Sequence, residues 1–241
     1  MGHSDAVIAI LADYKAAKDA AKALPAAIFA MGPTLGAGAR EPRGVAIAGS
    51  VLNVRQNCAI YGDGDDADVF FKVVSGVVRT CRFLRDGRRQ IDEFHVPGDV
   101  FGLEMGAARS LAAEAACDAV VISYRRRVIE RLAAGNRAVS HQLFAYAMQN
   151  LVRAQAHAAM LGQRTAAERL AAFLIDWAAR CPGDRTVTLA MTRQDIADYL
   201  GLTIETVSRT LSGLQRRALI GLPSARQVVL VDSAGLRALN V

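Results

Sequence analysis

Glu205, Ser208 and Arg209 are the residues of this chain best suited to reading the edges of base pairs. The guanidinium of Arg209 can donate two hydrogen bonds to O6 and N7 of a guanine, and the Glu205 carboxylate can accept from the amino group of cytosine or adenine. Ser208 lies one helical step from both and is short enough to let the backbone approach. An i,i+4 ion pair on a solvated helix face would account for Glu205 and Arg209 alone. It would not account for the pattern around them. Ala197, Gly201 and Val207 occupy the fifth, ninth and fifteenth positions of a twenty-residue unit that begins at Arg193. A small residue at the fifth position lets two helices approach, and glycine at the ninth takes the positive φ of a tight turn. A β-branched residue at the fifteenth locks the second helix onto the first. The spacing predicts a helix-turn-helix from Thr192 to Leu219, a motif whose second helix reads the major groove of double-stranded DNA.

Other elements must hold that reader in place. Thr192 with Asp195 has the form of a capping box, and Thr203 is placed to cap the second helix. Thr192, Arg193, Thr203, Thr206, Arg216, Arg217 and Arg226 are expected to touch phosphates, which position a protein without reading sequence. Gly221 to Val231 reads as a two-stranded wing, and Thr165 to Ala179 as an amphipathic helix ending at Arg180-Cys181-Pro182-Gly183. Before it, a long helix runs from Arg137 to Leu161 without glycine or proline. Its best apolar seam is Phe144, Ala147, Leu151, Ala154, Ala158 and Leu161, spaced alternately by three and four as in a coiled coil. A helix packed only within its own domain is the alternative. The alanines favour close pairing with a second copy, leaving Met148 and Gln155 on the opposite face to meet the region before. A two-fold dimer would set two reading helices about one DNA turn apart on a palindromic site.

From Val45 to Arg125, short β-rich runs alternate with turn signals. The runs are Val69 to Val74, Val77 to Leu84, Arg89 to Val96 and Val120 to Tyr124. The turns are Gly62-Asp63-Gly64-Asp65, Ser75-Gly76, Asp86-Gly87 and Pro97-Gly98-Asp99. This punctuation predicts an antiparallel sandwich or jelly roll, followed by a short helix over Val128 to Ala134. The fold class is α+β. An N-terminal extension (1–38, partly helical or disordered) precedes a sensor-like jelly roll (39–127), a helical segment with the pairing helix (128–162) and a winged helix-turn-helix (163–241).

Composition limits the alternatives. The 241 residues leave room for two cores. Just over half are apolar (52%), yet no run approaches a membrane span, and the N-terminal residues have no secretory pattern, so a cytoplasmic protein is expected. Net charge is +6, from 29 basic and 23 acidic residues, which suits a polyanionic partner. Cys58, Cys81, Cys117 and Cys181 are too widely spaced for a metal-binding pair. No nucleophile–base pair, phosphate-binding glycine loop or metal cluster points to an enzyme.

Across roughly residues 45 to 235 the sequence resembles the CRP/FNR superfamily of bacterial transcription regulators. The resemblance is carried by Ala167-Glu168-Arg169-Leu170-Ala171-Ala172-Phe173, by Met191 to Ile196 and by Leu200 to Arg209. Val73-Val74-Ser75-Gly76, Asp86 to Ile91 and Pro97 to Glu104 look most like the FixK branch, which controls microaerobic, respiratory and nitrogen-fixation genes. The resemblance implies an activator that works with RNA polymerase. It also implies that a Glu-x-x-Ser-Arg reader takes TTGA half-sites, as in TTGAT-N4-ATCAA. Ile204 stands where the CRP branch has a further arginine, which disfavours a TGTGA preference.

The same resemblance frames the input signal. Cyclic-nucleotide binding in the superfamily needs a Gly-Glu pair and a later Arg-Ser. Here Leu103 follows Gly102, and Glu104 is displaced by one residue, which on a strand turns it to the opposite face. Arg109-Ser110 comes early in a shortened loop. Residues 1 to 57 hold no cysteine for an FNR-type iron–sulfur cluster. His95 and His157 are the candidates for a haem ligand, so a ligand- or haem-gated regulator is the alternative. The favoured expectation is a regulator with no cofactor. Cys181, beside Arg180 and near Arg185, is a candidate redox switch: oxidation there would add negative charge beside DNA phosphates.

Overall fold

The computed structural model describes residues 26–28, 48–104, 106–163, 165–181 and 186–239. Most of the N-terminal extension, the Gly/Pro segment after it, and Pro182 to Arg185 lie outside the described residues. The chain divides into two compact units. One holds the residues up to Arg82 together with Phe94–Leu151, and the other holds Phe83–Glu93 together with the residues from Val152 onward.

The first unit is built on two antiparallel sheets. Its strands are β1 (Ala26–Ile28), β2 (Ala48–Val54), β3 (Ala59–Tyr61), β4 (Val69–Ser75), β5 (Val78–Phe83), β6 (Arg89–His95), β7 (Val100–Phe101), β8 (Ala112–Ala115) and β9 (Ala119–Arg125). One sheet has the order β1-β2-β9-β4-β7 and the other β3-β8-β5-β6. Phe83–Glu93, the turn of the β5–β6 hairpin with most of β6, groups with the second unit.

Strand β4, Val-Phe-Phe-Lys-Val-Val-Ser, buries Phe71 and Val73 on one face and Phe70 on the other. Phe71 and Val73 join Tyr61, Val78, Phe101 and Val121 between the sheets. Phe70 points the other way, stacks on Tyr124 at 5.4 Å, and packs with Ile129 and Val139. Ile129 belongs to helix α1 (Arg126–Gly135) and Val139 to helix α2 (Arg137–Gln163). Expected strands recur within a residue or two as β4, β5, β6 and β9. Strand β8, Ala-Ala-Glu-Ala, gave no β signal in sequence. Burial makes it a strand: all four residues are buried, and Glu114 lies opposite Arg79 of β5 with an ion pair of 2.7 Å.

Helix α2 corrects one expectation. Its residues packed on the first unit's core are Val139, Leu143 and Tyr146. Met148 and Gln155, expected to face that core, are exposed. Polar and apolar residues alternate around the helix without forming one stripe, so spacing alone could not tell which face goes inward.

The second unit contains the end of α2, helix α3 (Ala166–Arg180), β10 (Thr186–Thr188), α4 (Arg193–Leu200), α5 (Ile204–Arg216), β11 (Ile220–Ser224), β12 (Gln227–Leu230) and α6 (Ser233–Ala238). Its core is Leu170, Phe173, Leu174, Trp177, Ile196, Leu200, Val207, Leu211 and Leu214, all buried. Thr165 caps α3, accepting from the backbone N–H of Glu168 while the Glu168 side chain accepts from the backbone of Thr165. Gly221 to Val231 forms the expected antiparallel pair, β11 and β12, and β10 joins it beside β12. Thr186 to Thr188 is too short to be read from sequence, and its place is fixed partly by Trp177, whose indole Nε1 donates to the Thr188 carbonyl at 3.0 Å.

Candidate nucleic-acid interface

The turn between α4 and α5 forms as the residue types require. Thr192 and Asp195 make a reciprocal capping box at the start of α4. Gly201 ends that helix at φ 61°, a left-handed conformation that a side chain would strain. Thr203 caps α5 by accepting from the N–H of Thr206 at 3.2 Å. Ala197 and Val207 are fully buried, so the two helices meet where the motif's spacing says they should.

Helix α5 then sorts its residues by face. Val207, Leu211 and Leu214 are buried, while Glu205, Ser208 and Arg209 are exposed. A carboxylate and a guanidinium one turn apart are thus offered to solvent on a capped helix. The backbone N–H of Glu205 and then the Thr203 hydroxyl hold the Glu205 carboxyl below the usual carboxylate range, with Arg209 adding to the effect. The side chain therefore stays an acceptor over the whole neutral range.

The residues expected at phosphates lie around this helix, but not all are unengaged. The Thr192 hydroxyl donates to Asp195 at 2.8 Å, and the Thr203 and Thr206 hydroxyls pair at 3.1 Å. Arg193 is partly buried and reaches the Ala225 carbonyl at 3.4 Å, tying α4 to the wing turn. Arg216, Arg217 and Arg226 are exposed. Thr192 and Thr203 consequently support the interface first as helix caps.

Sequence reasoning missed a set of contacts that brace α4 within the second unit. Arg89, at the hairpin tip, donates from Nη2 to Oδ1 of Asp195 and from Nε to Oδ2 of Asp198 at 2.9 Å. Asp195 thereby serves the cap with one oxygen and Arg89 with the other. His157 bonds the Tyr199 carbonyl at 2.8 Å and stacks on the Tyr199 ring at 4.1 Å. Arg169 donates to the carbonyls of Leu200 and Leu161. Arg89 and His157 stand more than thirty residues before α4, and Arg169 links Leu161 to Leu200, so no local pattern announces these contacts.

In the first unit, the features weighed for effector binding are engaged by one another or by the chain's own backbone. Glu104 lies in a loop and not on a strand, so the face argument from strand alternation does not apply. Its carboxylate accepts from the N–H and hydroxyl of Ser110, at 2.6 and 2.8 Å. Arg109 is buried and donates to the carbonyls of Gly102 and Val69. His95 is likewise engaged, its Nε2 lying 3.2 Å from the Thr80 hydroxyl and its ring stacked on Phe101 at 5.0 Å.

Cys181 is the C-cap of α3 and is partly buried. It borders a cleft of about 270 Å³ whose polar edge is Thr186, Ser233 and Arg237. Arg180, expected to activate it, instead pairs with Glu93 at 2.7 Å, and Arg185 lies outside the described residues. The cation that shares the cleft with this thiol is Arg237, which sequence distance had hidden.

Comparison with known proteins agrees with this geometry. Residues 168–239 match the Crp-like helix-turn-helix domain, and residues 51–136 match the cyclic nucleotide-binding domain. The chain is 44% identical over 207 residues to the nitrogen fixation regulation protein FixK of Azorhizobium caulinodans, covering 84% of each chain. It is also 44% identical over 180 residues to the FixK protein of Rhizobium meliloti, covering 75% of this chain and 82% of the relative. The solved structure of FixK2 from Bradyrhizobium japonicum superposes with a TM-score of 0.78 at 42% identity, over 80% of this chain and 98% of that one. These relatives are regulators of transcription, not enzymes. With both regions matched and this identity along most of its length, the chain belongs to the CRP/FNR superfamily of transcription regulators, in its FixK-like branch.

Proposed function

We propose that the protein is a cytoplasmic homodimer that binds a TTGAT-N4-ATCAA-like palindrome without a small effector and activates microaerobic, respiratory or nitrogen-fixation genes through RNA polymerase. The observation that carries this reading is the sorting of α5, with Glu205, Ser208 and Arg209 exposed on a capped helix whose other face is buried. Glu205 and Ser208 meet the half-site beside Arg209, which takes the guanine. The phosphate contacts fall to Arg193, Arg216, Arg217 and Arg226, and to the backbone around Thr192, Thr203 and Thr206. Pairing of α2 is supported by its seam, where Phe144, Ala147, Leu151, Ala154 and Ala158 are all exposed in the single chain and Leu161 is half-buried.

Selection of bound DNA from a random pool, using untreated protein and no added small molecule, tests site, symmetry and effector independence together. Recovery of unrelated or asymmetric sequences would count against the reading. Arg209→Ala is expected to lose about 1–3 kcal/mol of discrimination at the guanine, read in a band shift on matched and mutated sites. Full retention of the TTGA preference in that variant would assign the reader elsewhere.

Effector independence is supported by the internal use of Arg109, whose guanidinium is buried on the carbonyls of Gly102 and Val69, while Glu104 is engaged by Ser110. Redox inactivation through Cys181 is supported by its place: the thiol is only partly buried and lines a cleft that Arg237 also borders, on the unit that carries the reader. Peroxide is expected to abolish DNA binding by the wild type and to spare Cys181→Ser. Equal loss in both would remove the thiol from the account.

A further inference from the structure

The least expected group in the first unit is a guanidinium between its two sheets. Arg109 is 3% exposed, yet Arg carries its charge at every accessible pH. Its Cζ stands 4.3 Å above the Tyr61 ring and 5.9 Å from that of Phe71. Nη1 donates to the Gly102 carbonyl at 2.6 Å and Nη2 to the carbonyl of Val69. Glu104 approaches Nη1 to 3.9 Å. Tyr61 comes from β3 of one sheet, Val69 and Phe71 from β4 of the other, and Gly102 follows β7. One side chain thus ties three segments on both sides of the core.

The surroundings are built to receive it. Gly102 has φ +75°, and a Cβ there would lie 2.8 Å from Nη1 and 3.5 Å from the Phe71 ring. The backbone on either side of the side chain is held as well: Arg109 donates its N–H to the Asp65 carbonyl at 2.7 Å and accepts from Gly64 at 3.0 Å, and Ala67 donates to Ala107 at 2.8 Å. An apolar side chain would fill the same space without desolvating a charge, so a buried guanidinium is a poor choice for stability alone. Two carbonyls and two ring faces make a site selective for a flat cation that donates in its own plane.

We infer that the interior of this domain is a guanidinium site occupied by the protein's own Arg109, and that this internal cation takes the place of a small-molecule effector. The inference rests on the effector-free reading above and adds the group responsible for it. A cyclic nucleotide-binding domain that works with nothing bound needs some other group to fill its interior and join its sheets. Arg109 does both. Removing it should leave a cavity whose natural occupant is free guanidinium, and the lost linkage should be felt at the DNA.

The test uses full-length protein, a palindromic duplex and guanidinium chloride as the probe, with equimolar potassium chloride as the control for ionic strength. Wild type is expected to bind DNA with no addition and to respond to both salts alike. Arg109→Ala is expected to bind on the order of tenfold more weakly. Millimolar guanidinium, but not potassium, should restore its affinity and raise its thermal midpoint. Wild-type affinity in the variant, or equal responses to the two salts, overturns the inference. Should the alanine variant not fold, Arg109→Met fills the space without charge and is expected to bind with the same deficit, and wild-type affinity there overturns the inference equally. A wild type that needs an added small molecule would instead defeat the effector-free reading.

Discussion

Leu151→Asp is expected to leave the protein folded, to convert it to a monomer, and to weaken binding to a full palindrome by about 10²–10⁴-fold. The size of the effect comes from linkage and not from any contact to DNA. In a dimer, binding of one reading helix presents the second to its half-site at high effective concentration, and a monomer forfeits that gain. Leu151 is 48% exposed in the single chain, so its own core loses little on substitution. At a two-fold interface the introduced carboxylate meets its own copy, or lies close to it, which adds like-charge repulsion to the lost apolar contact. Sedimentation equilibrium reads the assembly state, and fluorescence anisotropy on full and half sites separates linkage from recognition. The half-site affinity is expected to stay unchanged. A variant that remains dimeric with full affinity would move the interface away from the Phe144–Leu161 seam.

Legibility in the sequence follows the range of the interactions concerned. The Ala197, Gly201 and Val207 pattern, the caps at Thr165, Thr192 and Thr203, and the division of α5 into two faces are local. Each depends on partners within about two turns, and each is found in place. The strands rich in Val, Ile and Phe were visible for the same reason. Strand β8 was not, because alanine has no β preference and the neighbouring strands β3 and β5 give it one. The inward direction of Arg109 was equally hidden. Beside Ser110 it looks like half of an anion site, and only the carbonyls of Val69 and Gly102 show where the charge is used. The face of α2 turned to the core was misjudged because its polar residues are scattered around the helix and form no stripe to orient it.

Arg89 is the strongest case of a long-range partner, and its role can be measured through Asp195. The capping box at Thr192 is readable from four residues, but it does not explain why Asp stands where Glu or Gln is the usual choice. The shorter side chain keeps Oδ2 on the Thr192 N–H at 2.9 Å and turns Oδ1 to Arg89, with only 2% of the side chain exposed. Asp195→Ala removes the cap and half of a nearly buried ion pair together. It is expected to destabilise the second unit by about 3 kcal/mol, the low end for breaking a buried pair because Arg89 retains Asp198. Asp195→Asn, which keeps the oxygen that caps and loses the charge, should separate the two contributions. A double-mutant cycle with Arg89→Ala is expected to show a coupling of about 0.5–3 kcal/mol in denaturant unfolding. Additive losses would mean that the contact contributes nothing. DNA affinity should fall with Asp195→Ala while the preference among bases persists, because α4 carries Thr192 and Arg193 whereas the reader on α5 keeps its own cap at Thr203. Loss of the base preference itself would show that Arg89, through Asp195, also sets the position of the reading helix.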